Sequence, residues 1–515
     1  MALSSNLNAD QQKAVLAAGG AIAIVAGPGT GKTKTIVHRI VGLIETKKAP
    51  PENILAVTFT KSAAKEMKQR LRDLLGGAAD ALWVETFHSF ALRVLRREGC
   101  PFGAGVEFSV ISEEEKLKLM ANITERRQAH ALLKEISRQK QRLAPGQTGP
   151  AARYQERLKA LRYLDFDDLL LHLNRLFEEK PQIAAKYREK FAHVLVDEFQ
   201  DTSFAQYQIL KKINPANLCV VGDPDQAIYG FTGAEFSPFQ EFSKDWASRQ
   251  IINLGQNYRS QGTILEAAKQ IIERNPSDLP RELSAKLEAG LPIEITAYQT
   301  ERQEAEMTVR QIENLLGGSS YFTVDSRWAE KEKESYSYGL GDIAILYRLN
   351  AQAKPIKEAL ERAGLPCQVY GEKNKGEEDD SSVQDLEKFQ QDEQGIAGEK
   401  ITLMTLHRVK GLEFSVVFII GCEERLLPCS IFEPSPPQEE RRLFYVGVTR
   451  AKSRLFLSWS KKRTLFGKTQ ENRPSPFLED IGNALKTIEE SRAPEKRKTA
   501  KNQPALFDLS KFEGV

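Results

Sequence analysis

The sequence contains little cysteine and no long hydrophobic run. Its five cysteines are scattered and include no C-x-x-C pair, which argues against a zinc site and a disulfide framework and fits a reducing cytoplasm. The longest uninterrupted run of aliphatic and aromatic residues is the five residues 416–420, far short of the roughly 20 that cross a bilayer. The N-terminal segment MALSSNLNAD has neither a basic nor an apolar region, so we expect no secretion signal. These features together predict a cytoplasmic protein.

Neither sign of charge dominates the chain. Lysine and arginine number 73 against 70 aspartates and glutamates, so the net charge of +3 does not by itself indicate a nucleic-acid partner. Hydrophobic residues make up 41% and charged residues 28%, a balance that excludes a mainly disordered chain. A length of 515 residues predicts roughly two to four domains.

Short apolar runs alternate with longer helical patterns, which predicts an α/β fold with parallel sheets. The apolar runs are residues 21–27, 54–60, 193–199 and 218–223 in the first half, and 342–348, 401–407, 416–421 and 454–460 in the second half. Ligands of such sheets bind beyond the carboxyl ends of the strands. We therefore expect two similar sheet domains with a cleft between them.

Three segments do not follow this alternation. Residues 106–165 are mainly helical and polar, and their ten basic residues between Arg126 and Arg162 face only two glutamates. This charge fits either a solvated helical face or a surface that follows a DNA backbone. Residues 372–400 are acidic and too few to form their own core, so we expect a linker. Residues 491–515 begin as a basic segment and predict a flexible tail.

A glycine-rich loop predicts the nucleotide site. The segment AGPGTGKT follows an apolar run and precedes a helical pattern, so its backbone N–H groups would surround phosphate oxygens. Lys32 would reach the outer phosphates and the Thr33 hydroxyl would bind Mg²⁺. The predicted ATP-binding residues of this segment are Ala26, Gly27, Pro28, Gly29, Thr30, Gly31, Lys32, Thr33 and Lys34.

An acidic pair and two arginines would complete a phosphoryl-transfer site. Asp197 could hold Mg²⁺ and Glu198 could polarise the attacking water, although acidic pairs often follow strands without such a role. Arg259 and Arg450 are candidates for stabilising the transition state from the second domain. Each arginine alone would more often be an ordinary surface residue.

These segments together resemble the UvrD/Rep-type DNA helicases of superfamily 1A. The resemblance runs from LNADQQKAV (7–15) to RPSPFLEDI (473–481), with VGDPDQAIYGFTGA, LGQNYRSQGTIL, TLHRVKGLEF and YVGVTRA in the family's order. It implies two RecA-like P-loop NTPase domains, the first carrying a helical insertion. We expect the first motor domain at 1–105 and 166–253, the insertion 1B at 106–165, and the second motor domain at 254–371 and 401–490.

The resemblance also implies roles around the nucleotide. Gln11 would read the adenine, Tyr258 would stack on it, Glu413 would lie near the ribose and Arg39 beside the nucleotide. Gln226 would sense the γ-phosphate, and the two arginine contacts to that phosphate would come from Arg259 and Arg450. ATP and Mg²⁺ are the implied cofactors.

The implied activity is an ATP-driven motor that moves 3′-to-5′ along single-stranded DNA, in repair or replication. Aromatic residues beyond strand ends can stack on bases at about 1–3 kcal/mol per base, although such residues are also common in cores. The implied DNA contacts are Phe59, His88, Tyr229, Phe231 and His407.

The sequence departs from the family in three places. Phe231 and Thr232 replace the usual Trp-Arg pair, which predicts weaker coupling between DNA and ATP. The acidic linker at 372–400 replaces the family's 2B subdomain, which puts processive unwinding by a monomer in question. The tail carries a segment similar to the bacterial sliding-clamp-binding pentapeptide, at Gln503, Leu506 and Phe507. A clamp-tethered, ATP-gated DNA-binding or protein-displacing factor with little unwinding is the alternative.

Overall fold

The computed structural model describes most of the chain, and helices and strands are numbered along it. The described residues are 6–99, 101–102, 107–146, 148–228, 236–317, 338–370, 399–432 and 436–491. Several predictions fall outside these ranges: the DNA contacts Tyr229 and Phe231, the clamp segment, and nearly all of the acidic linker and the tail.

The first half of the chain forms a sheet domain interrupted by a small helical unit. It begins with α1 (Ala9–Leu16), β1 (Ala21–Ala26), α2 (Lys32–Glu45), β2 (Ile54–Thr58), α3 (Lys61–Leu75), β3 (Trp83–Thr86) and α4 (Phe87–Glu98). The helical unit contains β4 (Ser109–Val110), α5 (Glu113–Ala121), α6 (Arg126–Gln141), α7 (Gly149–Leu161) and β5 (Tyr163–Leu164). The domain then continues with α8 (Phe166–Glu179), α9 (Pro181–Lys190), β6 (His193–Val196), α10 (Phe204–Ile213), β7 (Asn217–Gly222), α11 (Pro238–Asp245) and β8 (Gln250–Leu254).

Six of these strands form one parallel sheet in the order β3-β2-β6-β7-β1-β8. Alternate strand residues face opposite sides, and both sides are buried, as expected for a parallel sheet. Ala23, Val57 and Val196 pack on one side with residues of α4, α8 and α10, while Ile24 and Ala56 pack on the other with α2 and α3. This double burial explains why the strands appear in the sequence as nearly continuous apolar runs.

The second half forms a larger sheet. Its elements are β9 (Gln256–Asn257), α12 (Gly262–Glu273), β10 (Ser284–Ala285), β11 (Ile293–Thr300), α13 (Glu301–Leu315), β12 (Ile343–Tyr347), α14 (Ala353–Arg362), β13 (Cys367–Val369), β14 (Ile401–Thr405), β15 (Phe414–Ile419), α15 (Pro437–Val448), β16 (Ala451–Leu465), β17 (Lys468–Glu471) and β18 (Lys486–Glu490). The strand order is β13-β14-β12-β15-β16-β11-β18, all parallel, and β17 pairs antiparallel with β16. Helices α12 and α15 cover one side of this sheet and α13 and α14 cover the other.

A buried group of charges joins the helical unit to α8. The Lys140 ammonium of α6 lies 2.6 Å from Asp165 and 2.8 Å from Asp168, and none of the three side chains is more than 2% exposed. The Tyr154 hydroxyl of α7 donates to Asp165 at 3.0 Å. The carboxylates therefore orient two helices of the unit against the first sheet domain.

The predicted fold class is confirmed, and each of the eight predicted apolar runs coincides with a strand. In the two large sheets the prediction missed β3, β8, β11, β17 and β18, which are edge strands or are rich in polar residues. Among the described residues, no helix combines the length and the hydrophobicity needed to cross a bilayer.

Candidate active site

The glycine-rich loop lies between β1 and α2, as predicted. Gly29 and Gly31 have φ values of +65° and +81°, in the left-handed region that favours glycine. A Cβ on Gly31 would come within 2.8 Å of the Gln11 amide nitrogen, and one on Gly29 within 2.6 Å of the Arg259 Cβ. The loop is therefore closely packed between α1 and the second domain, with the N-terminus of α2 behind it.

Gln11 supports this loop from α1. Its side-chain amide donates to the Thr30 carbonyl at 2.9 Å, and its oxygen accepts from the Asn8 backbone at 3.1 Å in a capping box. Only 2% of Gln11 is exposed. In the structure its polar atoms hold the loop and the first helix together; a contact to adenine remains a prediction.

The ends of β1 and β6 bring a hydroxyl and two carboxyl groups together. The Thr33 hydroxyl donates to Asp197 at 3.4 Å, although β7 separates the two strands in the sheet. Burial and then the neighbouring Glu198 raise the pKa of Asp197 to about 7. Burial opposes ionisation of Glu198 too, but the ammonium groups of Lys32 and Lys410 outweigh it and lower the pKa of Glu198.

This oxygen pair fits Mg²⁺. The ion usually takes one or two protein oxygens and completes its shell with water and phosphate oxygens. Thr33 and Asp197 supply two such oxygens beside the loop. No group of three or more His, Cys, Asp or Glu side chains suited to holding a metal occurs among the described residues, so an all-protein metal cage is not seen there.

Gln226 and Arg450 meet across the domain boundary. Gln226 follows β7, and its amide donates to Asp223 at 2.8 Å. Arg450 connects α15 to β16 and donates to the Gln226 side-chain oxygen at 3.4 Å. Only 2% of Arg450 is exposed, and burial together with the nearby Arg259 lowers its pKa to about 9, which leaves it charged at neutral pH. A buried cation of this kind would favour an anion entering the cleft.

The second predicted arginine lies at the loop. The Arg259 guanidinium is 2.5 Å from the Glu413 carboxylate, which Lys452 also approaches at 2.9 Å. Tyr258 is 39% exposed, and Lys286 lies 5.4 Å from the centre of its ring. Glu413 and Tyr258 thus lie near the glycine-rich loop, where the resemblance places the nucleoside.

Two residues that the sequence analysis missed connect the domains. The Asn257 amide donates to the Pro28 carbonyl at 2.6 Å, and its oxygen accepts from the Arg259 and Ser260 backbones at 2.9 Å. The Lys410 ammonium donates to Asp201 at 2.6 Å and to the Gln226 carbonyl at 2.7 Å. Asn257 directly precedes Tyr258 in QNYRS, and Lys410 lies between His407 and Glu413 in HRVKGLEF. This proximity to predicted site residues was the available signal.

Arg39 does not face the glycine-rich loop. Its guanidinium donates to the carbonyls of Ala14, Val15 and Ala17 at 2.7 to 3.3 Å, where α1 ends, and only 2% of the residue is exposed. The position beside the nucleotide that the resemblance implied is therefore corrected: Arg39 caps a helix carboxyl end, which a cation stabilises. Lys34 is directed to the Asn6 carbonyl, at 2.5 Å.

The described DNA candidates have different environments. Phe59 is half-buried directly after β2. His88 is only 8% exposed, and the centre of its ring lies 4.2 Å from the centre of the Phe166 ring. Burial lowers the pKa of both His88 and His407 to about 3, so both are neutral at physiological pH. A neutral imidazole could contact a DNA strand only by hydrogen bonding or by packing.

The two sheets correspond to two family models. A model of the UvrD/REP helicase N-terminal domain matches residues 7–247, and a model of the UvrD-like helicase C-terminal domain matches residues 252–375 and 381–462. The chain belongs to the UvrD/REP helicase family. It is therefore an ATP-hydrolysing enzyme of the helicase type, and the predicted family resemblance is confirmed.

Curated relatives cover nearly the whole chain. The ATP-dependent DNA helicase PcrA of Bacillus subtilis is 29% identical, over 99% of this chain and 90% of its own length. The PcrA helicases of Staphylococcus aureus and Staphylococcus epidermidis are each 28% identical, over 94% and 98% of this chain and 87% and 90% of their own lengths. The Bacillus alignment extends over 683 positions although this chain has 515 residues, so that relative carries sequence with no counterpart here.

Proposed function

We propose that this helicase-family enzyme moves 3′-to-5′ along single-stranded DNA, driven by hydrolysis of Mg²⁺-bound ATP in DNA repair or replication. The observation that carries the proposal is the pairing of first-domain groups with second-domain arginines. Arg450 reaches Gln226, and Arg259 packs against Gly29 of the phosphate loop. A site divided in this way is complete only when the domains close, which couples hydrolysis to domain movement.

We assign the nucleotide roles as follows. The backbone of residues 26–33, with Lys32, would bind the phosphates, and Tyr258, Gln11 and Glu413 would contact the nucleoside. Thr33 and Asp197 would hold Mg²⁺, which when bound would neutralise charge on phosphate oxygens. Glu198, the carboxylate with the lowered pKa, would orient and deprotonate the attacking water. Gln226, Arg259 and Arg450 would stabilise charge on the outer phosphate.

We place the single-stranded DNA across the carboxyl ends of β2, β3 and β14, beside Phe59, His88 and His407. Phe59 follows β2 directly, and His88 and His407 each lie two residues beyond the last residue of β3 and β14. Tyr229 and Phe231 would add base-stacking platforms after β7. The polarity is taken from the family resemblance. The DNA substrate is taken from the family and from the names of the relatives.

Protein displacement from labelled oligonucleotides tests the polarity. Streptavidin bound at the 5′ end should be removed faster than streptavidin bound at the 3′ end, because a 3′-to-5′ motor meets only the 5′ block. Lys32→Ala should remove neither. Faster clearance of the 3′ block would contradict the proposed direction.

The shorter chain favours a second candidate, a translocating factor with little unwinding. Its support is the sequence that the Bacillus relative has and this chain lacks. We propose that residues 372–400 replace a subdomain that assists unwinding. A strand-displacement assay beside the streptavidin assay decides: translocation with weak unwinding supports this candidate, and robust unwinding by the monomer contradicts it.

We propose that the tail binds a bacterial sliding clamp through Gln503, Leu506 and Phe507. A Leu-Phe anchor on a tail is well suited to an apolar pocket. Deleting residues 503–507 should abolish clamp pull-down and leave the ATPase unchanged. Unchanged pull-down would end this proposal.

A further inference from the structure

A groove of about 700 Å³ lies between α3 and α4, beside β3 at the edge of the first sheet. We call it the edge groove. Its walls carry one acidic residue, Glu85, and six basic residues: Lys61, Lys65, Lys68, Arg93, Arg96 and Arg97. The balance of charge contrasts with the near neutrality of the whole chain.

Helical periodicity produces this concentration of charge. Lys61, Lys65 and Lys68 recur at the spacing that places side chains on one face of α3. The two acidic residues of the same helix do not line the groove: Glu66 pairs with Arg70, and Asp73 accepts from the Gln69 amide at 2.8 Å. The edge groove therefore receives the lysines of α3, and α4 contributes the arginines of the opposite wall.

The six cations face little negative charge: Glu98 lies 3.6 Å from Arg97, and Glu85 is the one acidic residue of the lining. Its carboxylate lies 2.8 Å from the Arg93 guanidinium, which also lies 4.2 Å from the centre of the Trp83 ring. Burial raises the pKa of Glu85, although the nearby Arg93 and Lys68 act in the opposite direction. Arg93 therefore contacts both the carboxylate and the ring of the wall, and Arg93, Lys65 and Arg96 are all exposed to solvent.

The edge groove is continuous with the proposed strand contacts. Lys61 is the first residue of α3 and comes two residues after Phe59, while Thr86, which also lines the groove, caps α4 two residues before His88. Neither helix has an acidic residue in its first turn. Two helix N-termini without acids favour phosphate at this end of the groove.

We propose that the edge groove binds the phosphate backbone of the DNA strand after it passes Phe59 and His88, which lengthens the contact with the first domain. This inference rests on the proposed DNA-binding function and extends it. From Lys61 to Lys68 the helix rises about 10 Å, so its lysines are spread along the groove and can contact more than one phosphate of the strand. Cations repeated along both walls suit a regularly charged polymer, so DNA is favoured over an acidic protein segment.

Length-dependent binding tests the inference. Lys65→Gln/Lys68→Gln alters one wall and Arg96→Gln the other. The matched control, Arg70→Gln/Arg72→Gln, removes two charges from α3 outside the groove. Affinity for oligothymidylates of about 6 to about 20 nucleotides is measured at several salt concentrations, with polyglutamate as a competing probe.

For the long oligonucleotide, we expect the double variant to bind roughly tenfold more weakly, with a salt slope smaller by about 1.4. Arg96→Gln should lower the slope by about 0.7, whereas binding of the shortest oligonucleotide and the control variant should stay within about twofold of the original. Three results would each overturn the inference: an equal loss of affinity at every oligonucleotide length, no loss of affinity at any length, or a selective loss of polyglutamate binding. If DNA stimulates the ATPase normally in those cases, the proposed function survives.

Discussion

Single side chains decide how the two domains meet. Asn257 is fully buried and uses both ends of its amide: one holds the Pro28 carbonyl of the first domain, and the other holds the backbone that carries Arg259. The position of Arg259 relative to the glycine-rich loop therefore depends on the Asn257 amide. Displacing a catalytic group by about 1 Å can cost about 10²-fold in rate.

Replacing Asn257 tests this dependence. Asn257→Ala should lower the DNA-stimulated kcat for ATP hydrolysis by about 10- to 100-fold, because Arg259 loses its fixed position. Steady-state kinetics provide the measurement, and Asn314→Ala, on the exposed side of α13, is the control. An unchanged kcat in Asn257→Ala would show that the amide does not position the arginine.

His88 predicts a dependence of stability on pH. Burial lowers its pKa from the ordinary 6.5 to about 3, so below pH 6.5 the unfolded chain takes up a proton that the folded chain refuses. Its contribution to the free energy of unfolding is present above pH 6.5 and is lost as the pH falls towards 3. At pH 5 the loss is about 2 kcal/mol.

Urea denaturation at pH 7 and pH 5 measures this loss. His88→Asn removes the titrating group, so the variant should lose less stability between the two pH values than the original protein does. Equal losses in the two proteins would mean that His88 is not the group responsible.

Residues also mark the limit of sequence reasoning. The clustering of Lys32, Thr33, Asp197 and Glu198 could be predicted because loop chemistry and strand ends restrict where such groups occur. Asn257 and Lys410 were missed, since an amide and a lysine have many uses and their partners are more than 180 residues away. Arg39 was misplaced because nothing in the sequence shows that α1 ends against its guanidinium.

At the scale of elements, buried charges attach the helical unit to the first domain. The unit's own core is small, and Lys140 with Asp165 and Asp168 fixes α6 against α8. Removing one partner from a buried ion pair typically costs about 3–5 kcal/mol, because the other charge stays buried and unpaired.

Lys140→Met should therefore loosen the helical unit. Hydrogen exchange of α6 amides should show a local opening free energy lower by about 3–5 kcal/mol, while β1 and β7 keep their protection. Lys159→Met, on the exposed side of α7, should change exchange by less than about 0.5 kcal/mol. Normal protection of α6 in Lys140→Met would contradict the anchoring role.

Elements were predicted where hydrophobic runs were continuous. The strands that were predicted, such as β1 and β12, are buried on two sides, so their sequences are mostly apolar. The edge strand β3 contains Glu85 and β18 is largely exposed, and neither resembles a core strand in sequence. The pairing order of the strands depends on contacts between distant segments, which one sequence does not reveal.

At the scale of the whole molecule, the proposed active site belongs to neither domain alone. The first domain supplies the phosphate loop, the carboxylates and Gln226, while the second supplies Arg259, Arg450 and Lys410. These contacts cross a boundary between two separately folded sheets. Closure of that boundary around nucleotide is the event that would link hydrolysis to movement on DNA.

Steady-state ATPase activity with and without single-stranded DNA, in the original protein and in Arg450→Gln, tests this account most directly. We expect DNA to raise kcat at least about tenfold, and Arg450→Gln to lower the stimulated rate by about 10²- to 10³-fold while still binding a fluorescent ATP analogue. Hydrolysis at one slow rate, regardless of DNA and of Arg450, would contradict the claim that the second domain completes the site.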